Sequence, residues 1–168
     1  MASSPSTLTA SAHGAGPIAC RLTGSQRDLE VHFELRRAVF VDEQRLFADD
    51  DRDHRDDDAS TLHALGFVDG VASGAVRLYE IDRPAALWKG DRLAVLAEHR
   101  SNHLGAELVR FAVSTAGWLG GARMIAHVQL ANVRFFEHLG WRVEGEPAPF
   151  HGAMHQLMSI GLDRGRSA

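Results

Sequence analysis

Cysteine is nearly absent. Cys20 is the only one in 168 residues, which excludes an internal disulfide and any multi-thiolate metal site. Long apolar runs are missing too. The longest is Leu93-Ala94-Val95-Leu96-Ala97, far short of the about 20 residues a membrane-crossing helix needs. No Lys or Arg precedes an apolar stretch near the N-terminus, so no secretory signal is expected. There is no basic excess: 18 Lys and Arg face 22 Asp and Glu, for a formal charge of −4 and a pI near 6.2. That balance argues against non-specific duplex binding. The expectation is a cytoplasmic protein, with neither nucleic acid nor membrane as partner.

At 18.3 kDa, with 45% hydrophobic and 24% charged residues, the chain has the composition of one ordinary globular domain. Residues 1–16 are small and polar and are read as a flexible tail. Residues 17–168 are read as the single domain.

Pro17 to Leu22 predicts a short strand. A helix follows from Ser25, its N-cap, to about Val41, with Val31, Leu35, Ala38 and Val39 at helical spacing. Ala48 to Asp58, rich in acids, predicts a solvated loop. Thr61 to Val68 and Val71 to Ile81 form a hairpin around Asp69-Gly70. Leu87 to Leu96 is the fourth strand. Leu104, Leu108, Phe111, Ala112 and Thr115 mark one face of a long helix ended by Gly120-Gly121. Arg123 to Leu130 is the fifth strand. Asn132 caps a short helix ending at Gly140, and Trp141 to Glu144 and Met154 to Leu162 are the last strands. The order β-α-β-β-β-α-β-α-β-β predicts an α/β fold, with helices packed on a mixed sheet. Phe33, Phe40, Phe47, Phe67, Phe111 and Phe135 are read as core, as are Trp88, Trp118 and Trp141.

The chemistry concentrates where the fourth strand passes into the long helix, Asp91 to Gly105. The first N–H groups of that helix have no intrahelical partner and, with the helix dipole, favour an anion such as a pyrophosphate. Arg100 can add a bidentate phosphate contact, and Gly105 permits close backbone approach. An ordinary helix start would carry much of the same pattern.

RLAVLAEHRSNHLGAELV also resembles the acetyl-CoA-binding segment of the GNAT superfamily of N-acetyltransferases, Arg/Gln-x-x-Gly-x-Gly/Ala, with Arg100 and Gly105 at its first and last positions. AHVQLANVRFFEHLGW resembles a second GNAT signature through Asn132, Phe135, Gly140 and Trp141. LRRAVFVDEQ, the acidic loop and His155 resemble the ElaA-like branch. The resemblance covers about Arg21 to Leu162. It implies a mostly antiparallel sheet of six to seven strands that parts between the fourth and fifth to admit the pantetheine arm. It further implies acetyl-CoA as co-substrate, bound through Leu93, Ala94, Val95, Arg100, Ser101, Asn102, His103, Leu104, Gly105, Ala106, Asn132 and Phe136. Leu93 to Val95 would supply the backbone N–H for the oxyanion. Two positions depart from the pattern. His103 replaces the middle glycine, and Phe136 stands where many GNAT enzymes carry the Tyr that protonates the leaving thiolate.

Candidate titrating groups are His127, His155, Glu43, Glu80 and Asp91. His155 and His127 are the candidate catalytic residues, because histidine titrates near neutrality. Glu43, Arg77 and Tyr79 are candidates for an acceptor pocket, with an ordinary structural ion pair as the alternative for Arg77. The predicted activity is acetyl transfer to a primary amine of a small molecule, or of a peptide, by direct attack in a ternary complex. A homodimer is compatible with the resemblance. Two other readings belong beside it: a non-catalytic acyl-CoA-binding sensor, and an acyl-homoserine-lactone-synthase-like enzyme. A metal-dependent hydrolase fits less well. His99 and His103, and His151 and His155, are four apart, but neither pair has the Glu of a zincin helix, so no metal is expected.

Overall fold

A computed structural model describes residues 16–164; most of the expected N-terminal tail lies outside the described residues. The element order is the one the sequence predicts. β1 (Ile18–Leu22) leads to α1 (Gln26–Arg36), where the Ser25 side chain accepts from the Asp28 N–H at 3.1 Å. Three antiparallel strands follow, β2 (Leu62–Val68), β3 (Val71–Asp82) and β4 (Leu87–Val95). Then come α2 (Leu104–Trp118), β5 (Arg123–Gln129), α3 (Val133–His138), β6 (Arg142–Phe150) and β7 (Ala153–Gly161). The seven strands form one sheet in the order β1-β2-β3-β4-β5-β7-β6, antiparallel except where β4 meets β5. Among the described residues, no helix is long and apolar enough to cross a membrane.

The principal core lies between α2 and the sheet. Leu104, Leu108, Ala112 and Ala116 fall at i, i+4, i+8 and i+12 and are buried against Ala64, Val76, Leu78 and Met124. Two glycines set the closeness of this packing. Gly66 and Gly74 face each other across β2 and β3. A Cβ on Gly66 would stand 2.7 Å from Leu104 Cδ1, and one on Gly74 2.8 Å from Leu108 Cδ1. Methyl groups there would force the Leu104 and Leu108 side chains to move.

Four sequence expectations change. The helix expected to run evenly to Val41 is α-helical only to Arg36 and then widens into π-type turns over Arg37–Glu43. This winding places Glu43 opposite Arg100 and Gln44 beside the cavity described below. The acidic stretch 48–58 is solvated only in part. Asp51 is 1% exposed and Asp56 8%, and His54–Asp57 forms a short 3-10 turn with a reciprocal Asp53/Asp56 capping box. The reason is that three guanidiniums lie beneath it, and buried cations need carboxylates. β6 extends to Phe150 rather than ending at Glu144. It is an edge strand with a register break between Glu144 and Ala148, a place where Pro147 and Pro149 are tolerated. Finally, Trp118 and Phe135 are not core: they are 77% and 37% exposed.

Candidate active site

β4 and β5 pair only over Leu87 to Lys89 and Arg123 to Ile125. Beyond that the strands separate. The cause lies in β4. Between Ala75↔Ala94 and Arg77↔Asp91, the single residue Val76 of β3 opposes both Arg92 and Leu93, and Arg92 takes φ +51°. Such a bulge bends the strand and frees backbone groups from the ladder. The opening holds a cavity of about 150 Å³ that reaches from one face of the sheet to the other. On the α2 side its wall includes Val109, Ala112, Phe136 and Trp141. On the opposite side it includes Phe47, Lys89, Asp91, His127, Phe150 and His155.

His127 lies on β5, on the face opposite the buried Met124, Ala126 and Val128. Its ring stacks on Phe150, with centroids 4.2 Å apart and planes 10° from parallel. Its Nδ1 is buried without a hydrogen-bond partner among the described residues. Burial holds its pKa below the ordinary histidine value, and the Lys89 charge adds to this. His127 is therefore neutral at pH 7 and free to accept a proton. His155 lies on β7, paired with Gln129 of β5. Its Nδ1–H donates to the Ala153 carbonyl at 2.9 Å, so in the neutral ring Nε2 carries the lone pair. Asp91 also lines the cavity, but its oxygens already accept from Arg77 and Tyr79.

The turn before α2 leaves the helix start uncapped. His103 adopts the left-handed conformation, φ +68° and ψ 4°, immediately before Leu104, and no side chain caps the helix. The N–H groups of Leu104, Gly105 and Ala106 thus begin the helix without an intrahelical acceptor. Gly105 has a further property. Its φ is not in the positive range, and a Cβ there would meet nothing closer than 3.7 Å. The protein's own packing does not demand a glycine at this position, which leaves the backbone open to close approach from outside. Ser101 and His103 are exposed, whereas the Leu104 and Ala106 side chains are buried, leaving the latter two only their backbone to offer. The Asn102 side chain meets His99 at 3.2 Å, and its Oδ1 is buried without a partner.

Arg100 is already engaged. Its guanidinium forms a two-pronged pair with Glu43, at 2.6 and 2.7 Å, and its Nε–H donates to the Val95 carbonyl at 3.1 Å. The Glu43 carboxyl is held below its ordinary pKa by that hydrogen bond. Leu93 lines the cavity, while Ala94 is buried beside Phe40 and Val39. Asn132 precedes α3 but makes no side-chain capping bond, because a 3-10 turn, Leu130–Asn132, already gives it helical dihedrals; it lines the cavity instead. Phe136 packs edge-on against Phe135 and Trp141 and offers no hydroxyl.

The acceptor pocket expected from Arg77 beside Glu43 is not formed. Arg77 is fully buried and binds Asp53 at 2.6 Å, Asp91 at 2.7 Å and Asp56 at 3.0 Å. Tyr79 is buried too and donates to Asp91 at 3.0 Å. Neither lines the cavity, and the ion-pair alternative is the one observed. Sequence reasoning missed Lys89, Phe150 and the turn residue His151. Alternation along β4 put Lys89 and Asp91 on the face opposite Trp88 and Gly90. Positive φ at His151 and Gly152 closes the hairpin that carries Phe150 over His127.

The acetyltransferase (GNAT) family model matches residues 29–141. The chain belongs to the GNAT acetyltransferase family. A Bacillus subtilis protein named as an acetyltransferase is 29% identical over 136 residues, spanning 80% of this chain and 90% of that protein. Escherichia coli ElaA superposes with a TM-score of 0.74 at 22% identity, over 85% of this chain and 99% of its own. An aminoglycoside 6′-N-acetyltransferase solved with coenzyme A does so at 0.67 and 11%, over 85% and 96%. These two structural likenesses show the fold. As a GNAT member the chain is an acyl-CoA-dependent acyltransferase.

Proposed function

We propose that the protein transfers the acetyl group of acetyl-CoA to a primary amine of a small molecule, the amine attacking the thioester directly in a ternary complex. The carrying observation is a cavity between β4 and β5 whose wall runs from Val109 and Ala112 of α2, the helix that starts uncapped at Leu104, to His127 and His155. In this reading the pyrophosphate takes the N–H groups of Leu104, Gly105 and Ala106, and Arg100 steers it while holding Glu43. Asn132 and Phe136 line the path of the pantetheine arm.

An ammonium of pKa about 10.4 is some three units from neutrality, so roughly 4 kcal/mol separates it from its reactive form. His127, unprotonated and half-buried, accepts that proton, or His155 does so through Nε2. The bulge at Arg92 and Leu93 supports a backbone donor to the oxyanion, the group whose removal is commonly most damaging. Phe136 cannot protonate the departing thiolate. That proton comes from the imidazolium just formed or from water.

Thermal shift and calorimetry with acetyl-CoA test the first half, and thiol release against a panel of small amines tests the second. Binding with release for at least one amine is expected. Binding with no release across the panel favours a non-catalytic acyl-CoA sensor, and absence of binding contradicts the reading.

A further inference from the structure

Lys89 is the only lysine among the 18 Lys and Arg residues of the chain. Wherever the described fold holds a permanent buried cation, the residue is arginine with a carboxylate: Arg36 with Asp51 and Asp56, Arg77 with Asp53 and Asp91, Arg92 with Asp51. The lysine stands instead in the wall of the cavity, at the last residue of β4 that pairs with β5. Its ammonium lies 5.1 Å from the centre of the Phe150 ring. Among the described residues it enters no salt bridge, and Asp91, on its own strand face, is already bound by Arg77 and Tyr79.

Guanidinium binds carboxylates and phosphates better than ammonium does, and it cannot lose its proton. A chain that uses arginine for its ion pairs, yet lysine here, has at this place the one side-chain amine able to become a nucleophile. Burial favours that form by drawing the Lys89 pKa below its ordinary range; Arg77 and Arg92 act the same way, while Asp91 and Asp53 oppose it.

We propose that Lys89 is itself an acyl acceptor: when no free amine fills the cavity, the protein transfers the acyl group of its bound acyl-CoA to Lys89 Nζ and so silences its own site. This rests on the reading above, with acyl-CoA between β4 and β5. The Nζ lone pair attacks the thioester carbonyl, the N–C bond forms and the C–S bond breaks. The electron pair leaves on the CoA sulfur, and the proton lost by nitrogen passes through His127 or water to that thiolate. The product amide carries no charge. It occupies the space an acceptor needs and does not pass its acyl group on to an amine.

The single lysine makes the test direct. The full chain is incubated with acetyl-CoA in an amine-free buffer and followed by intact mass, with calorimetric binding in parallel. One added acetyl group is expected, located by the loss of tryptic cleavage at Lys89, which also separates it from a label on the N-terminal amine. It should form at least about tenfold faster in the folded chain than in the urea-unfolded one, as positioning requires, and Lys89→Arg should take none. Binding of acetyl-CoA without label on Lys89, or equal rates in folded and unfolded chains, overturns the proposal and leaves the transferase reading standing. No binding at all removes both.

Discussion

On the α1 side of β3 and β4, Arg36, Arg77 and Arg92 are buried under the 48–58 segment, and each guanidinium reaches at least one of Asp51, Asp53, Asp56 and Asp91. Around the opening between β4 and β5, and among the described residues, His127 Nδ1 and Trp141 Nε1 are buried without partners and Lys89 enters no salt bridge. The two regions share strand β4. In the first, every guanidinium is paired with carboxylates, and the pairs hold a segment in place. In the second, polar groups remain available to something that is not protein. A charge-rich sequence thus divides into a structural part and a chemical part, and the pairing of the charged groups tells them apart.

The largest effect is expected from breaking the paired side. Arg77→Met leaves Asp53, Asp56 and Asp91 without their shared cation and should cost about 3–5 kcal/mol, measured from the urea midpoint; a loss under about 1 kcal/mol would show that the network is not structural. On the unpaired side the effect should fall on rate. His127→Gln should lower turnover by about 10²–10⁴-fold with little change in stability, and the wild-type rate should decline only below the ordinary histidine pKa. Unchanged turnover would pass the base to His155, for which His155→Ala is the matching test.

His32 sharpens the contrast, because it is buried and uncharged beside the network. Its Nε2–H donates to the Val76 carbonyl at 3.2 Å. Burial lowers its pKa from 6.5 to about 3, with the Arg36 charge adding to this. The unfolded chain therefore binds the proton first. The stability His32 contributes is complete above pH 6.5 and is lost as pH falls from there toward about 3. Melting temperature should start to drop in that window, before most carboxylates titrate, and His32→Gln should flatten the slope. The smallest effect belongs to the turn before α2. His103→Gly should relieve a left-handed backbone, with a net gain of about 0.5–1 kcal/mol after glycine's entropy is counted.

The fold was legible in the sequence because each element obeys a local rule. α2 has its four-residue apolar spacing, the β2–β3 hairpin has Asp69-Gly70 with positive φ at both residues, and Ser25 caps α1. The strand-to-helix turn before α2 was legible as well, whereas the left-handed conformation of His103 was not. What stayed hidden depends on contacts distant in sequence. Asp51 and Asp56 look solvated until Arg36 and Arg77 are placed beneath them. Arg100 looks free for a phosphate until π-type winding brings Glu43 to it. Phe150 and Lys89 belong to no motif and meet only because an edge hairpin folds over the parted strands.

A structure with acetyl-CoA at saturation tests the central claim most directly. The account predicts the pyrophosphate on the amides of Leu104, Gly105 and Ala106, and the acyl carbon between β4 and β5 within reach of His127 or His155. Coenzyme bound elsewhere, or that amide site left vacant at saturation, would contradict it.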